Sequence, residues 1–339
     1  MSWYNEKGEM QDVVLSTRVR LARNLNGYPF VSRLSDKQAD EIIGKVCAAL
    51  PDYSCEKFFE GNAYKCRSYM EMHYVSPEFV SGENHRALLS GEGDKVKIMV
   101  CEEDHLRIQS ILPGFSPKEA FEYASKADDR LSTALDIAFS EKYGYLTQCP
   151  TNLGAAMRVS AMLCLPALTM QGAIEAYANA VSKMGITIRG MYGEGSRASG
   201  AIYQISNKAS LGAGESEIIK LITDAVNKLV QAERNARKNV YDSDKAKVTD
   251  RVARDVGILK YANMMSSDEF AGMFADLKLG MYLGITEGLS DVKLSEMLVA
   301  VQPATLYMTA QGMESETVRD KARAKFLRDM MKDVKVVGY

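Results

Sequence analysis

The sequence predicts an α+β fold: an antiparallel β-sheet flanked by helices, followed by a smaller all-helical domain. Three observations point there. Strand-like segments arrive in runs rather than in strict alternation with helices, which argues against a doubly wound parallel sheet. From about residue 215 onward only helical periodicity remains. Between the two regimes, DSDKAKVTD (242–250) is charged and poor in apolar residues, as expected of a hinge between domains.

Taken in order, VVLSTRVRLARNL (13–25) opens with the β-branched enrichment of a strand. SDKQADEIIGKVCAAL (35–50) reads as an amphipathic helix capped by Ser35, with Ile42, Ile43 and Val46 on one side. DKVKIMV (94–100) and LRIQSIL (106–112) read as two strands joined by an acidic turn. Residues 118–143 read as helical. LTQCPTNLG (146–154) reads as a loop leading into a helix, AAMRVSAMLCLPAL. Residues 185–207 read as a hairpin with a Gly-rich connection. ESEIIKLITDAVNKLVQAERNARKNV reads as one long helix. Breaks are expected near Gly280, Gly284, Pro303 and Gly312.

A length of 339 residues suits two domains, and 46% hydrophobic residues are enough for a sizeable core. A net charge of −2 speaks against non-specific nucleic-acid binding through a basic surface. MSWYNEKGEMQD has neither the basic nor the apolar region of a signal peptide, and no apolar run reaches the roughly 18 residues of a membrane span. The expected location is the cytoplasm. The six cysteines form no CxxC pair and only three histidines are present, so zinc-site spacing is absent and free thiols are expected.

Four constellations carry chemistry. Arg18 and Arg20, with Ser16, Thr17 and Arg23 nearby, would share one face of a strand because side chains alternate with period two. Paired guanidinium forks suit a polyphosphate; the alternative is a solvated face paired with acids. In CEEDHLR (101–107), three consecutive acids between apolar strands are unusual for a structural turn. They could accept a guanidinium, act as a base or assist a metal site, or form a solvated hairpin tip. In CPTNLG (149–154), a helix capped by Thr151 or Asn152 would favour the thiolate of Cys149, and Arg158 within that helix would want an anion unless it is a surface arginine. RGMYGEGSRASG (189–200) is neither a P-loop nor a strict GxGxxG; with Glu194 it could be a flap over a ligand. Protein-kinase HRD and DFG signatures are absent. Together these give several arginines, two acidic sites and a cysteine without a metal cage, an inventory suited to phosphoryl transfer.

The same four segments, in this order, resemble the signature of the phosphagen (guanidino) kinases: LSTRVRLARNL, CEEDHLRI, CPTNLG followed by Arg158, and ITIRGMYGEGS. The match covers roughly 12–237, leaving a helical domain over 250–339. The resemblance implies that Arg18, Arg20, Arg107, Arg158 and Arg189 hold the phosphates of ATP. Ser16, Thr17, Val19, His73, Val159, Ser160, Ala161, Met162, Gly190, Met191, Tyr192 and Gly193 would line the same nucleotide site. It implies that Glu103 and Glu194 clamp a guanidinium, Glu103 serving as base, and that Cys149 contacts a guanidinium nitrogen. Cys101 departs from the family, which has Asn at that place.

The chain opens almost directly on the nucleotide strand, without the helical N-terminal domain of the small-substrate enzymes, and adds a helical C-terminal region. That architecture resembles the bacterial protein-arginine kinases, whose RDxxRA motif matches RDKARA (319–324). On composition alone RDKARA is an ordinary charged helix face; the resemblance implies a phosphoarginine pocket formed by Arg319, Asp320, Arg323 and Ala324. It further implies transfer of the ATP γ-phosphoryl group to protein arginine with Mg2+, in protein quality control. Expected partners are a zinc-finger activator, a stress-response repressor and a Clp-type AAA+ protease, and a homodimer is expected. A small-molecule guanidino kinase and a non-catalytic phosphoarginine-binding adaptor are the alternatives.

Overall fold

The computed structural model describes residues 2–58, 63–190, 199–309 and 315–337, and it puts the first arginine-bearing segment in the interior of a sheet. Strand β1 (Val14–Arg23) is flanked on one side by β5 (Leu106–Pro113), β4 (Val96–Val100), β3 (Ala87–Gly91) and β2 (Ser54–Lys57) in spatial succession. Two-residue strands β6 (Phe139–Ser140) and β7 (Gly144–Tyr145) form a small hairpin outside this sheet, and Gly144 and Tyr145 also bridge to Gly154. On the other side of β1 come β8 (Met157–Cys164), β10 (Ile202–Asn207) and β9 (Ile186–Gly190). All neighbours in this eight-stranded sheet run antiparallel, although only β3–β4 and β4–β5 are joined by short turns.

The helices are α1 (Asp36–Ala49), α2 (Ala63–Glu71), α3 (Pro77–Ser81), α4 (Pro117–Ala134), α5 (Pro166–Met170), α6 (Ile174–Ser182) and α7 (Glu215–Ser243). In α1, Ser35 and Gln38 form the reciprocal cap the sequence suggests. One face of the sheet, carrying Val19, Leu21, Ile108, Val159, Ala161 and Ile205, is fully buried; α4 packs on β1 and β5, and α7 on β8 and β10. On the opposite face, Leu88 and Met99 of the outer strands pack with Phe58, Cys66, Val75 and Phe79 from the α2–α3 region. The central strands keep that second face open.

The helical region continues as α8 (Lys245–Tyr261), α9 (Ser267–Tyr282), α10 (Asp291–Ala300), α11 (Pro303–Thr309) and α12 (Glu316–Met331). Segment 242–250 is helical apart from Asp244, which ends α7 and caps α8 by accepting from Lys247 N at 3.1 Å. The apolar core runs without interruption from the sheet helices into these. Gly200 (φ +66°) shows how closely the two regions meet, since a Cβ there would lie 2.2 Å from the Ala271 carbonyl oxygen of α9.

Three expectations need correction. The helix expected over 118–143 stops at Ala134, where Leu135 turns extended. The helix expected after residue 154 is strand β8. Its apolar run is buried on both faces, and such a run has no period to distinguish it from a buried helix. Gly280 lies inside α9 rather than at a break, whereas Gly284 at φ +70° follows its end. Gly312 lies outside the described residues.

Candidate functional site

Antiparallel register sets the arginines side by side. Arg18 stands opposite Ile111 and Ser160, and Arg20 opposite Gln109 and Arg158; Ala22 stands opposite Arg107, and Arg189 of β9 opposite Gln204 of β10. Directly opposed residues share a face. Arg18, Arg20, Arg107, Arg158 and Arg189 therefore all project from the open face. Arg18, Arg20, Arg158 and Arg189 floor a cleft of about 510 Å³, joined by Gly190, Gln204 and Ser206. Ser206 Oγ accepts from Arg158 Nε and Nη2 at 3.2 and 2.8 Å. At the inner end, Ser16, His73, Ser160, Met162 and Gln204 gather around Arg18.

Burial lowers the pKa of Arg18, Arg20 and Arg158, and neighbouring guanidinium groups lower it further. Arg18 is pushed down to about 10 by burial, then by Arg158 and Arg107. Arg20 is pushed down by burial and then Arg18, and Arg158 by burial and then Arg189. Arg18 and Arg20 have no carboxylate partner among the described residues. Such crowding of like charge is relieved by a polyanion. His73, at φ +63°, is pushed down to about 4 by burial and by Arg18, so its ring is neutral at pH 7.

Four of the nucleotide residues implied by resemblance face the other way. Thr17, Val19, Val159 and Ala161 alternate out of phase with the arginines and are buried against the helices. The Thr17 hydroxyl donates to the Gly114 carbonyl oxygen at 2.6 Å, behind the sheet. The Val159 backbone N–H donates to Asn207 Oδ1 at 2.8 Å.

The acidic turn between β4 and β5 resolves into four distinct tasks. Glu102 Oε1 accepts from Arg107 Nη1 at 2.6 Å and from the Ser76 hydroxyl, and Glu102 Oε2 accepts from Glu103 N at 2.7 Å. Glu103 Oε2 accepts from Arg107 Nη2 at 2.5 Å. Burial raises its pKa, with Arg107 opposing. Asp104 Oδ1 accepts from Asn24 Nδ2 and from Gln148 N at 2.6 and 2.8 Å, fixing the next loop to the turn. His105 Nδ1 accepts from Leu25 N at 2.9 Å and its Nε2 lies 2.8 Å from the Pro29 carbonyl oxygen, which ties down the exit of β1.

Cys149 begins a single 3-10 turn, Pro150–Asn152, and no longer helix follows. The helix-terminus argument for its thiolate therefore fails. Its sulfur sits 3.0 Å from the Thr151 hydroxyl, and its carbonyl oxygen accepts from Thr147 Oγ1 and Asn152 N. A second pocket, of about 160 Å³, is lined by Glu103, Arg107, Cys149, Thr151 and Asn152, and also by Arg20 and Arg158. Arg20 and Arg158 thus belong to both pockets. An anion on the arginine floor and a cation between Glu103 and Cys149 would meet there.

Met191, Tyr192, Gly193 and Glu194 lie outside the described residues. In α12, Arg323 is 2% exposed. Its Nε donates to the Val301 carbonyl oxygen at 2.7 Å, and its Nη1 donates to the Met265 carbonyl oxygen and to Asp320 at 2.6 and 2.5 Å. Arg319 and Asp320 are half-buried and Ala324 is buried. Sequence reasoning singled out Glu102, Glu103 and Asp104 together but gave a separate role to Glu103 alone, and it missed Asn24, Gln204 and Ser206. Gln204 and Ser206 join Arg158 and Arg189 only through the register of β10 with β8 and β9, and the tether from Asn24 to Asp104 spans 80 residues, so neither has a local signal.

Residues 44–236 match the family model for the ATP:guanido phosphotransferase C-terminal catalytic domain, and residues 245–337 match that for the protein-arginine kinase McsB C-terminal domain. A protein-arginine kinase of Pelotomaculum thermopropionicum is 38% identical over 96% of this chain and 94% of its own length. One of Clostridium acetobutylicum is 35% identical over 98% of this chain and 99% of its own. Lombricine kinase shares the fold, with a TM-score of 0.58 at 23% identity over 68% of each chain. The chain belongs to the ATP:guanido phosphotransferase family and, within it, to the protein-arginine kinases.

Proposed function

We propose that this protein transfers the γ-phosphoryl group of ATP to an arginine side chain of a protein. The supporting observation is the pair of pockets that share Arg20 and Arg158, one floored by arginines and the other bearing Glu103 and Cys149. In this reading Arg18, Arg20, Arg107, Arg158 and Arg189 neutralise the phosphates and align the γ-phosphorus. Glu103 and Cys149 hold the substrate guanidinium edge-on to it. A bond forms between a guanidinium nitrogen and phosphorus, the bond to the β-phosphate oxygen breaks, and ADP leaves. The nitrogen loses one proton, and Glu103 takes it. Free guanidinium, with a pKa above about 12, is a poor nucleophile, so this proton transfer is the demanding part.

Mg2+ enters in this reading with ATP, coordinated largely by phosphate and water. Among the described residues no group of three His, Cys, Asp or Glu stands in ligating geometry. Glu194 would complete the guanidinium clamp. RDKARA would receive phosphoarginine as a regulatory ligand. The cellular setting we propose is quality control in the cytoplasm, with a zinc-finger activator, a stress-response repressor and a Clp-type protease as partners and a homodimer as assembly. No helix among the described residues is long and apolar enough to cross a membrane.

The test is incubation with ATP, Mg2+ and an unfolded protein, followed by detection of acid-labile phosphoarginine, with free arginine in parallel. Phosphorylation of protein arginine is expected. Phosphorylation of free arginine alone would reassign the enzyme to small guanidino substrates, and none at all would remove the kinase reading.

A further inference from the structure

The arginine-floored cleft is not walled by the sheet domain alone. Leu298 and Val299 of α10 and Gln302 after it line the same cleft, together with Met70, Glu71 and His73. The helical region therefore contributes surface to the site. What holds it there is specific. Glu71, the last residue of α2, accepts three hydrogen bonds from the start of α11: from Ala304 N at 2.8 Å, Thr305 N at 2.6 Å and Thr305 Oγ1 at 2.8 Å. These donors are the unpaired N–H groups of a helix start, where a carboxylate is the natural partner. One turn on, the rings of Tyr64 and Tyr307 stack with centroids 3.9 Å apart. On its other side the same corner is fixed by Arg323, through the Val301 carbonyl oxygen at 2.7 Å.

We propose that Glu71 is a positioning residue for the nucleotide: it locks the corner between α10 and α11 onto the cleft, so that the helical region completes the wall around the adenine–ribose end of ATP. The inference rests on the nucleotide reading of the cleft. With the phosphates drawn to the arginines, the remaining lining combines apolar side chains (Met70, Val75, Leu298, Val299) with hydrogen-bonding ones (Glu78, Gln204, Gln302), as a purine nucleoside requires. Glu71 acts through the α10–α11 corner, so its loss changes nucleotide affinity rather than the phosphoryl-transfer step.

The experiment uses the full chain and two readouts. ATP binding by calorimetry, with steady-state kinetics, is compared between wild type and Glu71→Gln, which keeps the shape but puts an amide against helix-start donors. The dissociation constant and KM for ATP should rise about tenfold, the loss expected for charged hydrogen bonds. The rate at saturating ATP should stay within about twofold. Thr305→Val, which removes only the hydroxyl donor, should shift affinity the same way by less. Hydrogen exchange should show ATP slowing exchange across 298–305 in wild type and much less in Glu71→Gln. Unchanged ATP affinity in Glu71→Gln, or no ATP-dependent protection of 298–305 in a wild type that binds ATP, would overturn the proposal. A wild type that binds no ATP would remove the nucleotide reading first and this inference with it.

Discussion

The Glu103 carboxylate accepts from the Arg107 guanidinium at 2.5 Å, while Glu102 holds the other arm of the same guanidinium at 2.6 Å. The acid assigned to the substrate's guanidinium thus already carries one from the protein. On the proposed function, a substrate arginine would compete with Arg107 for the same oxygen. Arg107, displaced, remains tethered by Glu102 beside Arg18 and Arg158, where phosphate charge would hold it.

Replacing Glu103 by Gln keeps an acceptor for Arg107 but removes the base. Turnover should fall about 10²–10⁴-fold, with ATP affinity within a few-fold of wild type. Isotope-labelled phosphoarginine formation and nucleotide calorimetry together check this. Near-wild-type turnover would remove Glu103 from the chemistry.

The same residue sets a pH dependence. Burial raises the Glu103 pKa above its ordinary value of 4.5. A base must be deprotonated, so the rate at saturating substrates should fall as pH drops through that raised value. The acidic limb should vanish in Glu103→Gln. A limb centred at or below the ordinary carboxylate value would contradict the burial argument.

His73 contributes a stability term of definite sign. Its pKa is about 4 when folded and near 6.5 when unfolded. Below pH 6.5 the unfolded chain takes up a proton that the folded chain accepts only near pH 4. The contribution is therefore complete above pH 6.5, declines between 6.5 and 4, and is flat below. His73→Asn, which tolerates the left-handed backbone at this position, should flatten that part of the curve in denaturant titrations. An identical slope in both proteins would show His73 already solvated.

The arginine floor invites a double test. Arg18→Ala and Arg158→Ala should each weaken ATP binding about ten- to a hundredfold. Arg18 has no carboxylate partner among the described residues and is crowded by Arg158 and Arg107, so Arg18→Ala should not lower the melting temperature without nucleotide. Unaltered nucleotide affinity in both variants would refute the phosphate site.

How much of this could be read from the sequence follows from the range of each interaction. The Ser35 cap, the two strands around the acidic turn and the long helix from residue 215 are local, and their residues show them. Alternation in β1 placed Arg18 and Arg20 on one face. The same alternation, applied to β8, puts Val159 and Ala161 behind the sheet, but from Val159 to Cys164 both faces are buried, so MRVSAMLC reads equally well as a helix. The helix-terminus expectation for Cys149 rests on that same helical reading. The pairing of Arg158 with Ser206, of Asp104 with Gln148 and of Glu71 with Thr305 depends on register and docking, which no window of sequence contains.

The last prediction separates two roles within RDKARA. Arg319 and Arg323 fall on one helix face, as their spacing requires. Arg323, however, is committed to the main-chain oxygens of Val301 and Met265 and to Asp320, at 2% exposure. Its guanidinium is a structural clamp between α12 and the end of α10, and Arg323→Ala leaves two carbonyls and a carboxylate without their donor. Disruption of a buried pair costs about 3–5 kcal/mol, so this variant should melt earlier whether or not phosphoarginine is present. Asp320 keeps 16% of its side chain exposed and can offer its outer edge to the N–H groups of a phosphoarginine. Asp320→Asn preserves an acceptor for Arg323 while removing the charge. It should fold as wild type yet bind phosphoarginine at least about tenfold more weakly by calorimetry. Equal binding by Asp320→Asn and wild type would exclude Asp320 as the ligand's partner, and no binding by wild type would leave the motif with the clamp as its whole role.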